Sequence, residues 1–294
     1  MSDLAKKTLD LIRARSELPA SLQTDIDRLI AHSFPLRASA ELAKNRSEND
    51  AFGCDLWNAA LSLSDRRLND NDVPRKGDEV TRLVALLRVF AFFLVAAAAA
   101  HPGVSKCDKD KLQILRAFKI GVKACRFCLE YEYLNYAQSV LGHCLEYVDA
   151  LQQASPLVRI AVQDEAHENE TAMKALTCEF YLLRVTHALK SGNIDVAEYS
   201  YNQIPLSRLA ESGSLCEKAA DVFFAVGKAM VENKATDLAI IWLERATQAL
   251  DACAPEELGQ DAAELRLTIT STLGTLVHTV IASHVSNREQ FRPC

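Results

Sequence analysis

The chain has 294 residues, with 33 basic residues against 39 acidic ones and a formal net charge of −6 at pH 7. Ten Gly and eight Pro make turn-forming residues about 6% of the chain, roughly half the usual share of ~12%. That scarcity excludes an all-β sandwich with closely spaced turns. At 49% hydrophobic and 24% charged the chain is globular and not disordered, and its acidic balance argues against a protein that coats DNA while leaving room for a local basic patch.

Nine cysteines (54, 107, 125, 128, 144, 178, 216, 253 and 294) are scattered, mostly within apolar periodic segments. No hydrophobic signal core follows Met1. Buried free thiols in a reducing compartment fit this pattern better than a disulfide framework.

The predicted elements are helices throughout. Leu4, Leu9, Leu11 and Ile12 mark a short amphipathic one. Leu22, Ile26, Leu29 and Ile30 mark a second, with Pro19 as its start signal. A third runs from about Asn49 to Leu68, followed by a polar linker, residues 69–78, that contains Pro74 and Gly77. The next, Glu79 to Ala100, is unbroken apolar from Val89 onward; those 12 residues fall short of the ~20 that a spanning helix needs. A buried core helix is therefore preferred to a membrane span. Lys109 to Tyr131 carries Ile114, Leu115, Phe118, Val122, Cys125 and Leu129 on one stripe. Tyr133 to Leu151, Glu168 to Lys190 and Asp195 to Gln203 follow, with breaks expected at Ser155-Pro156 and Ile204-Pro205. Leu215 to Asn233, Thr236 to Cys253 and Asp261 to about His284 complete the chain. No run alternates with period two, so the class is all-α.

Three helix pairs share one pattern. Gly227 and Ala239 are 12 residues apart and Ala246 lies seven further on; Cys125, Ala137 and Cys144 repeat both offsets. Val185 and Ala197 keep the first offset, while Ile204 breaks the second. Small side chains at such positions let antiparallel helices approach closely. This spacing predicts a tetratricopeptide (TPR)-like solenoid of helical hairpins, the alternative being an irregular bundle. Two domains are expected: an N-terminal helical segment over 1–70, and TPR-like repeats over 79–286. The last helix is apolar on more than one side and lacks the polar outer face of a terminal cap, so a repeat array truncated at its C-terminus is expected.

Candidate chemistry is sparse. Asp164-Glu-Ala-His167 spells a helicase box, yet no Gly-x4-Gly-Lys-Ser/Thr loop accompanies it: Gly227-Lys228 is followed by Ala229, and Val222 stands at the first glycine position. Cys125-x-x-Cys128 with His143-Cys144 has zinc-like residues, but one such cluster inside an apolar stripe reads as structural thiols. The seven His residues show no local nucleophile motif. Arg116, Lys119, Lys123 and Arg126 recur at spacings of three, four and three, on one helix face with Lys106, Lys109 and Lys111 upstream. This face reads either as ordinary solvated charge or as a docking stripe for an acidic peptide or a nucleic-acid backbone. An acidic run, Asp164, Glu165, Glu168 and Glu170, is its alternative partner within the fold.

Several phrases carry a resemblance: Gly53-Cys-Asp-Leu-Trp-Asn-Ala-Ala60, Leu83-Val-Ala-Leu-Leu-Arg-Val-Phe-Ala-Phe-Phe93, Lys119-Ile-Gly-Val-Lys-Ala-Cys-Arg-Phe-Cys-Leu-Glu130, Phe180-Tyr-Leu-Leu-Arg-Val-Thr186 and Ala239-Ile-Ile-Trp-Leu-Glu-Arg-Ala246. In this order, over about residues 50 to 280, the chain resembles the N-terminal part of the meiosis-specific TPR scaffold family, the Spo-twenty-two/Zip-four family of sporulation proteins. The resemblance implies a nuclear, chromosome-associated scaffold that promotes crossover formation and assembly of the synaptonemal complex. Its partners would be other proteins of a synapsis-initiation complex, and its association with chromosomes indirect. No membrane, small-molecule substrate, cofactor or enzymatic activity is expected. The alternative is a general cytosolic TPR adaptor for partner peptides; an enzyme with an unrecognised helical active site is the third class.

Overall fold

The computed structural model describes residues 1–14, 17–32, 45–69, 75, 77–99, 108–153, 163–204, 206–209 and 212–290. All regular structure among them is helical, and the helices pack in adjacent pairs. Two compact units divide the chain, 1–176 and 177–294. Most of the polar stretch 69–78, the Ser155-Pro156 break and the tail from 291 lie outside the described residues.

In the first unit, α1 (Ser2–Arg13), α2 (Ala20–His32) and α3 (Arg46–Asn69) precede α4 (Glu79–Ala98), α5 (Asp108–Glu130) and α6 (Leu134–Gln153). Asp78 caps α4: its carboxylate accepts from the Thr81 N–H and hydroxyl, each at 3.0 Å, satisfying a backbone donor that the helix start leaves free. By length and composition alone α4 would cross a membrane, yet most of it is buried within the protein. It packs against α2, α3, α5 and α6. Surrounded in this way, Phe90, Phe92 and Phe93 are completely buried, each contributing on the order of 1.5–3 kcal/mol.

Small residues set how closely these helices meet. At Gly53 of α3 a Cβ would stand 2.6 Å from Val95 Cγ2 and 3.1 Å from the Ala91 carbonyl of α4. At Gly121 of α5 it would stand 2.5 Å from Cys144 Sγ of α6 and 2.7 Å from the Phe92 ring of α4. Cys144 therefore nests on Gly121, one helical turn before the Cys125 position that the repeat spacing singles out.

The second unit contains α8 (Ile194–Tyr201), the short α9 (Leu206–Leu209), α10 (Gly213–Glu232), α11 (Thr236–Asp251), a 3-10 turn (Pro255–Glu257) and α12 (Asp261–Gln290); α7 (Gln163–Lys190) leads into it. Helix α10 pairs with α11, and α11 with α12. Gly227 allows the first pairing, because a Cβ there would stand 2.9 Å from Leu243 Cγ. Phe223 and Trp242 are fully buried and stack with Tyr201, every pair of ring centroids lying between 5.2 and 5.8 Å apart.

One turn recurs three times. Glu132, Gly192 and Lys234 have φ of 62°, 72° and 60°. Each amide donates to the carbonyl three residues back, on Leu129, Leu189 and Val231. The next amides, of Tyr133, Asn193 and Ala235, reach five back to Cys128, Ala188 and Met230 at 2.7, 2.8 and 2.9 Å. This is the Schellman closure of a helix C-terminus. In each case the Ala of the repeat pattern (Ala137, Ala197 or Ala239) follows the left-handed residue by five positions and is fully buried. Cys125, Val185 and Gly227, on the preceding helices, are buried as well.

Gly121→Ala is expected to lower stability by about 1–3 kcal/mol through overpacking. A methyl group added at Gly274 would meet nothing within 4 Å, so Gly274→Ala should raise helix stability by roughly 0.5–1 kcal/mol. Urea unfolding of the two variants beside the parent checks both signs.

Candidate protein-interaction site

Helix α5 buries Ile114, Leu115, Phe118, Val122, Cys125 and Leu129, and this places Arg116, Lys119, Lys123 and Arg126 outward, all exposed. The four do not have the same surroundings. Arg116 reaches across to α3, where its Nη1 lies 2.8 and 2.9 Å from the two Asp50 oxygens and its Nη2 donates to Cys54 Sγ at 2.6 Å. The hydrogen bond to Asp50 leads the causes that hold its pKa above the usual value. Lys119 and Lys123 have no ion pair among the described residues. Within the stripe Arg116 is thus tied to α3, while Lys119 and Lys123 are displayed to solvent. The upstream Lys106, the side chains of Lys109 and Lys111, and those of the acidic run 164–170 lie outside the described residues.

A concave surface of about 540 Å³ lies beside the α5–α6 turn. Asp27 of α2 gathers two donors there: Tyr136 of α6 through its hydroxyl, and Arg82 of α4 at 3.3 Å. Burial, then Asp27, pushes the Tyr136 phenol well above its usual pKa, so it remains a donor. This network joins three helices that no local spacing connects.

Arginines on aromatic faces hold each unit. Arg88, the one charge inside the apolar run of α4, lies 4.1 Å from the Phe127 centroid and 5.6 Å from that of Trp57. Burial lowers its pKa. In the second unit Arg245 of α11 lies 3.9 Å from the Tyr201 centroid and 4.6 Å from that of Trp242, while its two terminal nitrogens grip Glu198 of α8 at 2.6 and 2.5 Å. Its side chain is only 15% exposed, so the paired, stacked guanidinium links consecutive hairpins.

Helix α12 differs from the others. Of its side chains only Ala262 and Ile269 are buried among those described, while Leu267 is 69% and Ile281 56% exposed, with Val277 exposed too. A groove of about 490 Å³ runs between its first turns and the preceding connector, lined by Pro255, Leu258, Ala262 and Leu267.

The zinc-like cluster lies in the core. Cys125, Cys128 and Cys144 are buried free thiols, with burial pushing Cys128 up to about 12 and the other two upward. His143 packs edge-on to Phe92 and lies 3.1 Å from the Tyr147 hydroxyl. Among the described residues no group of three or more His, Cys, Asp or Glu is placed to hold a metal. The side chains of Asp164 to His167 lie outside them.

Paired helices with a common Schellman turn, a buried Ala five residues later and a buried residue 12 before that Ala define a TPR-like helical-hairpin repeat protein. Residues 187–291 match the family described as Meiosis protein SPO22/ZIP4 like, so the resemblance drawn from the sequence holds over that span, which runs from the end of α7 into α12. The phrases at 53–60, 83–93, 119–130 and 180–186 lie before it. No curated protein and no solved structure matches the chain.

Arg245→Met is expected to lower the stability of the second unit by about 1–3 kcal/mol, because it removes a charge-assisted pair and two ring contacts. Arg245→Lys should recover only part of the loss, since an ammonium cannot grip Glu198 with two nitrogens. Hydrogen exchange of α8 and α11 amides reads the difference.

Proposed function

We propose that the protein is an interaction scaffold of meiotic chromosome synapsis and crossover formation, acting in the nucleus. The observation that carries this reading is the coincidence of the family match, residues 187–291, with the hairpins built by α8, α10, α11 and α12. Stacked hairpins hold their own cores and leave one helix face free to display side chains, so partners bind as a helix in a groove or as an extended segment. The reading needs neither cofactor nor substrate. Its partners are other proteins of a synapsis-initiation complex, through which association with chromosomes is indirect.

The stripe on α5 supplies a place for acidic partner segments, centred on Lys119 and Lys123. Both are exposed and outside any ion pair among the described residues, so their reversal leaves the packing intact. Lys119→Glu combined with Lys123→Glu is expected to weaken capture of synapsis-initiation proteins from meiotic cells, most strongly at low salt, where rim charges act on association. The circular dichroism spectrum and unfolding midpoint should not change. Unaltered binding to every partner would reduce the stripe to solvated charge. Purification from meiotic cells that yields no protein of synapsis or crossover formation would contradict the scaffold reading itself.

A further inference from the structure

The start of α10 and the connector that leads into α12 are clamped together at three points. A Cβ on Gly213 would fall 1.9 Å from the Glu257 carbonyl oxygen, so the connector's backbone rests directly on the helix start. The Gly259 amide donates to the Glu217 carboxylate. Between these contacts Cys216 of α10 and Cys253 of the connector face each other, with their sulfurs 2.8 Å apart. Cys216 also donates to the Leu209 carbonyl at 3.0 Å. Both residues carry reduced thiols, 37 positions apart in the chain. The remaining gap to the ~2.05 Å of a disulfide is under about an ångström, and the clamp already holds both backbones in place.

We propose that Cys216 and Cys253 form a redox pair, a dithiol that closes to an intramolecular disulfide when a hydroperoxide supplies the oxidising equivalents. Exposure orders the two steps. Cys253 is 6% exposed and Cys216 0%, so the peroxide meets Cys253 first. The Cys253 sulfur attacks one peroxide oxygen, the O–O bond breaks, and a sulfenic acid forms with release of one water. Cys216 then attacks the sulfenic sulfur; the S–S bond forms, the S–O bond breaks, and the Cys216 proton leaves with the hydroxide as a second water. Two thiols and one hydrogen peroxide thus give one disulfide and two waters, and an organic hydroperoxide would release its alcohol in place of the first water. Burial, then the neighbouring Cys253 thiol, then the Glu257 and Glu217 carboxylates hold the Cys216 thiol well above its usual value. That slows any direct attack by Cys216 on an oxidant and leaves it the role of resolving thiol, whose proton the departing hydroxide removes. The bond would lock the connector that leads into α12 onto the start of α10.

The test uses the full reduced chain, treated with hydrogen peroxide under native conditions, quenched in acid, alkylated, digested and read by mass spectrometry. The expected product is a Cys216–Cys253 linked peptide two hydrogens lighter than its parts, removed by reductant. The buried core thiols Cys125, Cys128 and Cys144 should stay alkylatable after unfolding. Oxidation should raise the urea midpoint of the parent protein and leave that of Cys253→Ala unmoved. A Cys253→Ala chain in which Cys216 is oxidised as fast as Cys253 is in the parent would overturn the order of steps. A linked peptide no more abundant than those among the core thiols, or one formed only after denaturation, would overturn the pair.

Discussion

Neighbouring helices can pack only as closely as their facing side chains permit, and this chain satisfies that constraint with very small residues. Gly121 receives Cys144 and the Phe92 ring, Gly227 receives Leu243, and Gly53 receives Val95 with the Ala91 carbonyl. A single methyl at any of these points would enter space that a neighbour already fills. The turn that follows reinforces the fit. Three Schellman closures of one hydrogen-bond pattern deliver the next helix in one register, and so a buried Ala arrives at the same place each time.

Around that geometry the chain arranges its charges economically. Arg88 and Arg245 are cations set in aromatic surroundings, and each lies over two rings. Arg245 keeps hydrogen-bonded compensation from Glu198, whereas Arg88 lies against ring faces with a buried Nε that has no hydrogen-bond partner among the described residues. Arg82 and Arg116 instead bind carboxylates at helix margins, Asp27 and Asp50. Lys119 and Lys123 of α5 remain outward within the first unit, and the proposed scaffold contacts centre on them.

Much of this was legible in the sequence because helices and hairpins are local. Stripes such as Ile114, Phe118, Val122 and Cys125 mark their buried faces by spacing alone, and the 12-residue offset to Ala137, Ala197 and Ala239 follows from one turn geometry. Helix ends moved by a few residues, as at α12, which continues to Gln290 rather than ending near His284. Gly121 and Gly53 give no local signal, because a glycine within a helix is significant only through what faces it from another helix. The Asp27–Arg82–Tyr136 network is silent in the sequence for a related reason: its members lie 55 and 109 positions from Asp27. Arg116 looks equivalent to its neighbours on the helix wheel, and only the approach of α3 within the first unit sets it apart. The pairing of Cys216 with Cys253 is hidden likewise, since a thiol in an apolar stripe gives no sign of its partner.

The most direct test is to enlarge the recurrent alanine in each hairpin separately. Ala137→Leu, Ala197→Leu and Ala239→Leu should each lower the unfolding free energy by about 1–3 kcal/mol, because all three side chains are fully buried. A change within about 0.5 kcal/mol at any one of them, the behaviour of an ordinary surface position, would contradict a common hairpin and with it the repeat architecture.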